Sequence, residues 1–273
     1  MEEKDNTTTS DKIIAISAKK IGEVAAACEN NTIIIYSDTN FTPKNTIRVQ
    51  QKITCLDYSS QAPNALLGYG TSNGTVFLCN TSNNSITQVG NIQKASIEAI
   101  SFDDSGKKIA AASLDGTIAI YSRNSPNDSN WTSSKFQGCT LGCTAVAWGT
   151  PHTLLKTLTL FVGGVDGVIR VFTSSEESNL DWKMVASAEI FSTFVKKIAF
   201  PSTSVNAFNQ KIGICSQNGE VAVARYSDMK LHCQKIEIGK AATSIAWTMG
   251  EKTLVISFPD GTTSYIEDNE LFQ

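Results

Sequence analysis

The chain has 273 residues, of which 41% are apolar, so it can bury a substantial hydrophobic core. Its 23 Lys and Arg residues and 26 Asp and Glu residues give a formal net charge of −3. The basic residues are scattered along the chain, which argues against a nucleic-acid surface, because attraction to phosphates needs clustered Lys and Arg.

The first ten residues are polar and acidic, with no hydrophobic stretch behind them, so we expect no secretory signal. No apolar run approaches the roughly 18 residues that a membrane helix needs. The seven cysteines are spread through apolar or strand-like contexts, which is typical of buried thiols in a reducing compartment. The sequence therefore predicts a soluble, intracellular protein.

A turn-and-strand motif recurs six times in chain order. Each copy joins an Asn-Gly, Asp-Gly or Asn-Asn pair to a short strand. The copies are NNTIIIY (30–36), NGTVFLC (73–79), DGTIAIY (115–121), DGVIRVF (166–172), NGEVAVA (218–224) and DGTTSYI (260–266). Such pairs favour two-residue hairpin turns, because both central residues can adopt positive φ.

A second motif precedes five of these turns and ends in an aromatic residue. It combines an apolar residue, a second apolar residue three positions later, and an aromatic residue two positions after that. The copies are Ile53-Leu56-Tyr58, Ile97-Ile100-Phe102, Cys143-Val146-Trp148, Val195-Ile198-Phe200 and Ala242-Ile245-Trp247. We expect the tryptophans of this motif to serve packing between sheets.

Two further strands complete each repeat. One lies between the two motifs and is rich in small residues, such as KIAAAS (108–113), and a more variable one follows the turn-and-strand motif. Four antiparallel strands in about 40 to 50 residues form a propeller blade. We predict an all-β, six-bladed WD-type β-propeller over residues 11–268, with a disordered polar N-terminus (1–10) and a C-terminal tail (269–273).

Two features that could indicate enzymatic chemistry have structural explanations. The segment GYGTSNG (68–74) superficially resembles a dinucleotide-binding loop, but that loop needs a following helix, and a strand follows here. Asp115, Asp166 and Asp260 each begin a repeated turn, which accounts for them without catalysis. We predict no enzyme activity and no cofactor.

Cys139, Cys143 and His152 could suggest a metal site. Cys143 occupies the first apolar position of a repeat strand, and no fourth ligand has suitable spacing. The two histidines of the chain also offer no placed base for nucleophilic catalysis. We therefore predict no metal site.

The turn-and-strand motif resembles the end of a WD repeat, although no copy keeps the usual Trp and the usual Gly-His pair is missing. The resemblance therefore implies blades that lack the family's buried Asp-His-Ser-Trp hydrogen bonds and rely on apolar packing. Over residues 140–268 the chain is similar to the Sec-thirteen type propeller of the COPII outer coat and nuclear pore Y complex. The motifs are GCTAVAW (142–148), GGVDGVIRVF (163–172), DWK (181–183), FVKKIAF (194–200) and ICSQNGEVAVA (214–224).

The sequence offers no evident strand to close such a ring. The residues before the first repeat are polar, and EDNELFQ (267–273) is all that follows the last motif. Most propellers pair strands from their two termini, since an open ring leaves edges unpaired. Direct packing of the first blade on the sixth, or a degenerate closing strand, would also explain the pattern. We expect instead that a partner inserts its own strands by β-augmentation.

The predicted partner-binding residues lie on the two blades that flank the opening. They are Ile14, Ile16 and Ile34 in the first blade and Val255, Ser257 and Tyr265 in the sixth. The family resemblance implies that the partner is an α-solenoid protein, which supplies a seventh blade.

The function implied is a non-catalytic structural scaffold in the COPII vesicle coat of ER-to-Golgi transport, in the nuclear pore complex, or in both. Such a protein is cytoplasmic and is peripheral to membranes through the coat, without membrane insertion or nucleic-acid binding. The alternative is a free-standing WD-repeat adaptor that recognises a short peptide motif on its top face, which a closed ring would favour.

Overall fold

The computed structural model describes residues 12–18, 22–37, 39–59, 66–151, 156–175, 181–201, 209–248 and 253–267. In these ranges the chain contains 23 β-strands in six antiparallel sheets and no helix. Each sheet is built from strands that are consecutive in the chain, because short turns make the nearest strand the easiest to pair with. The predicted N-terminal segment (1–10) and tail (269–273) lie outside the described residues.

The chain forms two compact units, residues 1–111 with 121–133 and residues 112–120 with 134–273. The first sheet contains β1 (Ile13–Ala18), β2 (Glu23–Cys28), β3 (Thr32–Ser37) and β4 (Pro43–Arg48). The second contains β5 (Ile53–Tyr58), β6 (Leu66–Thr71), β7 (Val76–Asn80) and β8 (Ser85–Gly90). The third contains β9 (Ile97–Phe102), β10 (Lys108–Ser113), β11 (Thr117–Ser122) and β12 (Thr132–Gln137), and its residues are divided between the units.

The remaining three sheets belong to the second unit. The fourth contains β13 (Cys143–Trp148), β14 (Thr157–Gly164), β15 (Val168–Ser175) and β16 (Lys183–Glu189). The fifth contains β17 (Val195–Ala199), β18 (Asn209–Ser216), β19 (Val221–Ser227) and β20 (Lys230–Ile236). The sixth contains β21 (Ser244–Trp247), β22 (Thr253–Ser257) and β23 (Thr263–Glu267). Within the described residues, the sixth sheet thus has three strands where the others have four.

The turns between the second and third strands differ from the predicted two-residue type. In the second sheet, Gly74 N–H donates to the Thr71 carbonyl (3.2 Å), and Thr71 N–H donates to the Thr75 carbonyl (3.1 Å). Three residues therefore form the loop, and of these three only Gly74 has a positive φ, of 83°. This is a type I turn followed by one left-handed residue, so the prediction of two positive-φ residues is wrong.

The Asn or Asp of these turns has a different role from the one predicted. The Asp115 carboxylate accepts the backbone N–H of Thr117 at 2.9 Å, and Asp260 accepts that of Thr262 at 3.0 Å. Such side-chain contacts to the backbone two residues later hold the turn and explain why Asn or Asp precedes the left-handed residue.

Apolar packing joins neighbouring sheets within each unit. In the first unit, Ile35 and Tyr69, both 1% exposed, belong to one core between the first and second sheets. In the second unit, the fully buried ring of Phe161 lies 5.9 Å from that of Tyr226 and 5.8 Å from that of Phe200. These contacts agree with blades that are stabilised by apolar burial.

The tryptophans also serve packing. Trp148 contacts Trp182 edge-on at 5.8 Å between ring centres, and Trp182 stacks on Phe136 at 5.5 Å. Trp247 places its ring nitrogen 3.2 Å from the Ala199 carbonyl, to which it donates a hydrogen bond. Trp247 thus packs between the fifth and sixth sheets as expected, whereas Trp148 contacts Trp182, which precedes β16 of its own sheet.

Two threonines add polar links between successive sheets. The Thr144 hydroxyl donates to the Val195 carbonyl at 2.6 Å, from the second residue of β13 to the first residue of β17. Thr54, the second residue of β5, makes the equivalent hydrogen bond to the carbonyl of Ile97, the first residue of β9. Because Thr144 is buried, this bond satisfies polar groups that water does not reach.

Candidate partner-binding surfaces

The first strand of the first sheet is unusually exposed. Ile16 in β1 is 60% exposed and Ile13 is 40% exposed. By contrast, the second sheet begins with Ile53, which is 1% exposed, and the fourth with Cys143, which is fully buried. An exposed apolar strand in a repeat whose equivalents are buried marks a surface available for binding.

The three predicted residues of the first sheet do not share one face. Ile16 pairs with Ala26 and Ala26 pairs with Ile34, so Ile16 and Ile34 lie in one cross-strand row on the same face. Ile14 packs against the core between the first and second sheets instead. The reason is a register shift between Ile13 and Ala15, which interrupts the alternation of β1.

In the sixth sheet the third strand is the exposed one. Four of the five residues of β23 are exposed, and Ile266 is partly buried. The third strands of the five preceding sheets are buried at half or more of their positions; these are β3, β7, β11, β15 and β19. In each of those sheets a fourth strand pairs with the third. Strand β23 is therefore the element of the sixth blade that is best placed to accept an added strand.

The two faces of the sixth sheet differ in burial. Leu254 and Ile256 are fully buried in a core that also contains Val221 of the fifth sheet. Val255, the residue between them, points to the opposite face, because side chains alternate along a strand. On that face Val255 is half-buried, and Tyr265, its partner on β23, is 71% exposed.

The structure brings the three predicted residues of the sixth blade together. One cross-strand row contains Ala246, Val255 and Tyr265. Ser257 lies two residues from Val255 and so faces the same side. Ala246 of β21 is also exposed on this face, and the sequence pattern missed it. Its place follows from its pairing with Val255. We call the face with Ala246, Val255, Ser257 and Tyr265 the open face.

The Ser257 hydroxyl stiffens the open face. It lies 3.0 Å from the Thr243 hydroxyl and donates to the Ser244 carbonyl at 3.3 Å. At the adjoining turn, the Lys240 ammonium contacts the Asp260 carboxylate at 2.7 Å. Lys240, followed by hydrogen bonds from Thr262, lowers the pKa of Asp260 well below its usual range, so this turn keeps its charge pair at neutral pH.

Among the described residues, the turn glycine of the sixth sheet does not make the contact that its equivalents make. The Gly167 carbonyl accepts N–H groups from Ile190 and Phe191 at 3.1 and 3.2 Å, in the segment that follows the fourth strand. The Gly219 carbonyl likewise accepts the N–H of Ala242 at 2.9 Å. A Cβ atom built on Gly261 meets nothing within 4 Å. Within the described ranges, no following strand or segment covers β23 and its turn.

The glycine-rich segment 68–74 belongs to a hairpin. Gly68 and Gly70 lie inside β6, and the next element is the strand β7. Among the described residues, no group of three or more His, Cys, Asp and Glu side chains could hold a metal ion, and His152 lies outside the described ranges. The same ranges contain no helix that is long and apolar enough to cross a membrane.

Comparison with known proteins agrees with the architecture. The model of the Vps42 beta-propeller family matches residues 39–164. No curated protein matches the chain. Among solved structures, a chain of "Crystal Structure of Mitotic Checkpoint Complex" superposes with a TM-score of 0.71 at 15% identity, over 97% of this chain and 80% of that chain. The chain is a six-bladed β-propeller.

The comparisons support the fold of the chain. At 15% identity the solved structure supports the fold alone. The family match covers residues 39–164, whereas the Sec-thirteen type motifs lie within residues 140–268, so the match and the motifs come largely from different parts of the propeller.

Proposed function

We propose that this protein is a non-catalytic scaffold whose sixth blade is extended by β-strands from a partner protein. The observation that supports this most strongly is β23, which is exposed at four of five positions where the equivalent strands are buried at half or more of theirs. The partner strand pairs with the edge of β23 that no described strand occupies, and a partner sheet packs on the open face.

The edge and the open face have complementary roles in this binding mode. Alternate N–H and C=O groups of β23 point away from β22, so an added strand gains main-chain hydrogen bonds. Tyr265 and Val255 provide an aromatic and an aliphatic contact, and tyrosine is enriched among residues that dominate binding energy. Hydrogen bonding to β23 thus supplies binding affinity, and the side chains of the open face fix the register of the partner strand.

The family resemblance adds the identity of the assembly to this proposal. It implies an α-solenoid partner in the COPII outer coat or the nuclear pore Y complex, with the propeller stiffening that partner from the cytoplasmic side of the membrane. The similar solved chain belongs to a structure titled as a mitotic checkpoint complex, which is a further instance of such a propeller in an assembly. Neither proposed role requires a catalytic group.

The proposal is tested by site-specific photo-cross-linking in cells. A benzoylphenylalanine at Tyr265 is compared with one at Met229, since both side chains are well exposed, at 71% and 62%. We expect one polypeptide to cross-link from position 265 and not from 229. Without irradiation, the same polypeptide should stay bound to the protein in high salt, because strand pairing is little screened. Equal cross-linking at both positions, or a short peptide captured from elsewhere on the propeller, would favour the adaptor alternative.

A further inference from the structure

Two cysteines lie side by side in the second unit. Cys139 follows β12 and Cys143 begins β13, so three residues separate them. Both contact one backbone carbonyl, that of Gly116, through the Cys139 N–H at 3.0 Å and the Cys143 sulfur at 3.3 Å. Cys139 is 3% exposed and Cys143 is fully buried. The intervening segment reaches the surface at Leu141, which is 69% exposed.

An ion pair lies next to the first of these thiols. The Arg170 guanidinium places Nη1 3.7 Å from the Cys139 sulfur. The same guanidinium forms a two-pronged contact with the Asp166 carboxylate, at 3.1 and 2.5 Å. Asp166 thereby fixes Arg170 with one nitrogen directed at the sulfur. This places a positive charge where a Cys139 thiolate would form.

The second thiol is held by the backbone. The Cys143 thiol donates a hydrogen bond to the Gly116 carbonyl at 3.3 Å. The neighbouring Cys143 thiol and the positive charge of Arg170 lower the pKa of Cys139. The neighbouring Cys139 and burial raise the pKa of Cys143. The two cysteines are therefore chemically unequal, with Cys139 the better nucleophile.

The other cysteines do not share this arrangement. Burial raises the pKa of Cys79 and of Cys233 to about 11. Cys233 is nevertheless the exposed cysteine of the chain, while the remaining six are buried. Exposure alone predicts that Cys233 is oxidised first, whereas the local charges predict Cys139.

We propose that Cys139 and Cys143 form a peroxide-sensitive dithiol that closes to a reversible disulfide. The Cys139 thiolate attacks one oxygen of hydrogen peroxide, which breaks the O–O bond, gives a sulfenic acid and releases hydroxide. This hydroxide combines with the proton that Cys139 lost, which gives the first water. The Cys143 sulfur then attacks the sulfenic sulfur, forming the S–S bond as the S–O bond breaks. The Cys143 proton and the departing hydroxide leave as water, so two thiols and one peroxide give one disulfide and two waters.

In the test, the reduced 273-residue chain is treated with dilute hydrogen peroxide, and the oxidised cysteines are identified by peptide mass spectrometry. We expect a Cys139–Cys143 disulfide, reversed by dithiothreitol, to form before Cys233 reacts. In Cys143→Ser the reaction should stop at a Cys139 sulfenic acid, which dimedone captures. Oxidation of Cys233 first, or any disulfide pattern without the 139–143 link, would overturn the proposal.

Variants of Arg170 test whether its positive charge speeds the oxidation of Cys139. Arg170→Gln should slow disulfide formation several-fold, because loss of the positive charge raises the pKa of Cys139 and lowers its thiolate fraction. Arg170→Lys, which keeps a positive charge, should restore most of the rate, and Cys233→Ser should leave it unchanged. Equal rates in the Gln and Lys variants, with both folded by circular dichroism, would contradict the role of Arg170.

Discussion

Replacing Gly167 with alanine is expected to lower the free energy of unfolding by about 2 to 5 kcal/mol, the sum of a left-handed backbone cost and an overpacking cost. Gly167 has a φ of 73°, which L-residues with a Cβ rarely adopt. A Cβ at this position would lie 1.9 Å from the carbonyl oxygen of Phe191. Relief of that contact requires the segment after the fourth strand to move away and break its hydrogen bonds to Gly167.

Gly261→Ala is the matched control for this prediction. Its φ of 80° is nearly the same, but a Cβ there meets nothing within 4 Å. We expect it to lose only the left-handed cost, about 1 to 2 kcal/mol. Urea unfolding of the two variants and the unchanged protein measures both values. Equal losses would show that the contact between the Gly167 turn and Phe191 contributes nothing.

The second prediction contrasts two adjacent residues of β22. Leu254→Asp places an unpaired carboxylate in the core between the fifth and sixth sheets, since Leu254 is fully buried there. We expect a loss of about 4 kcal/mol or more in unfolding free energy, and an unfolded sixth blade. Val255→Asp faces the open side, where the charge stays near water, and should cost about 1 kcal/mol or less.

The same pair separates folding from partner binding. Although Val255→Asp remains folded, it should weaken partner binding about 100-fold, a loss of about 2.7 kcal/mol, because the charge would be buried against the incoming sheet. Binding is measured by titration of the partner segment identified through position 265. A Val255→Asp variant that binds the partner normally would exclude the open face from the interface.

Local patterns were sufficient to predict most of the fold. The small-residue string 108–113 coincides with β10 (Lys108–Ser113), and all six turn motifs lie between the second and third strands of a sheet. This works because each strand pairs only with strands that are near it in sequence. Alternation and turn residues therefore carry the necessary information. The grouping of Val255, Ser257 and Tyr265 follows from the same alternation.

The features that sequence could not supply depend on backbone detail or on long-range contacts. The register shift in β1 separates Ile14 from Ile16, and no residue type there signals it. The three-residue turns use the same Asn-Gly and Asp-Gly pairs as two-residue turns, so composition does not distinguish them. The Thr144 bond to Val195 joins residues 51 positions apart, beyond the range of any local pattern.

Amide hydrogen exchange of β23 is the most direct test of strand addition. In the isolated protein the outward N–H groups of Thr263–Glu267 should exchange quickly, while those of β19 (Val221–Ser227), an inner strand of the fifth sheet, exchange slowly. Addition of the partner segment cross-linked at Tyr265 should slow the β23 amides toward the β19 rates and leave β19 unchanged. Slow exchange of β23 in the isolated protein, or no change on binding, would contradict the account.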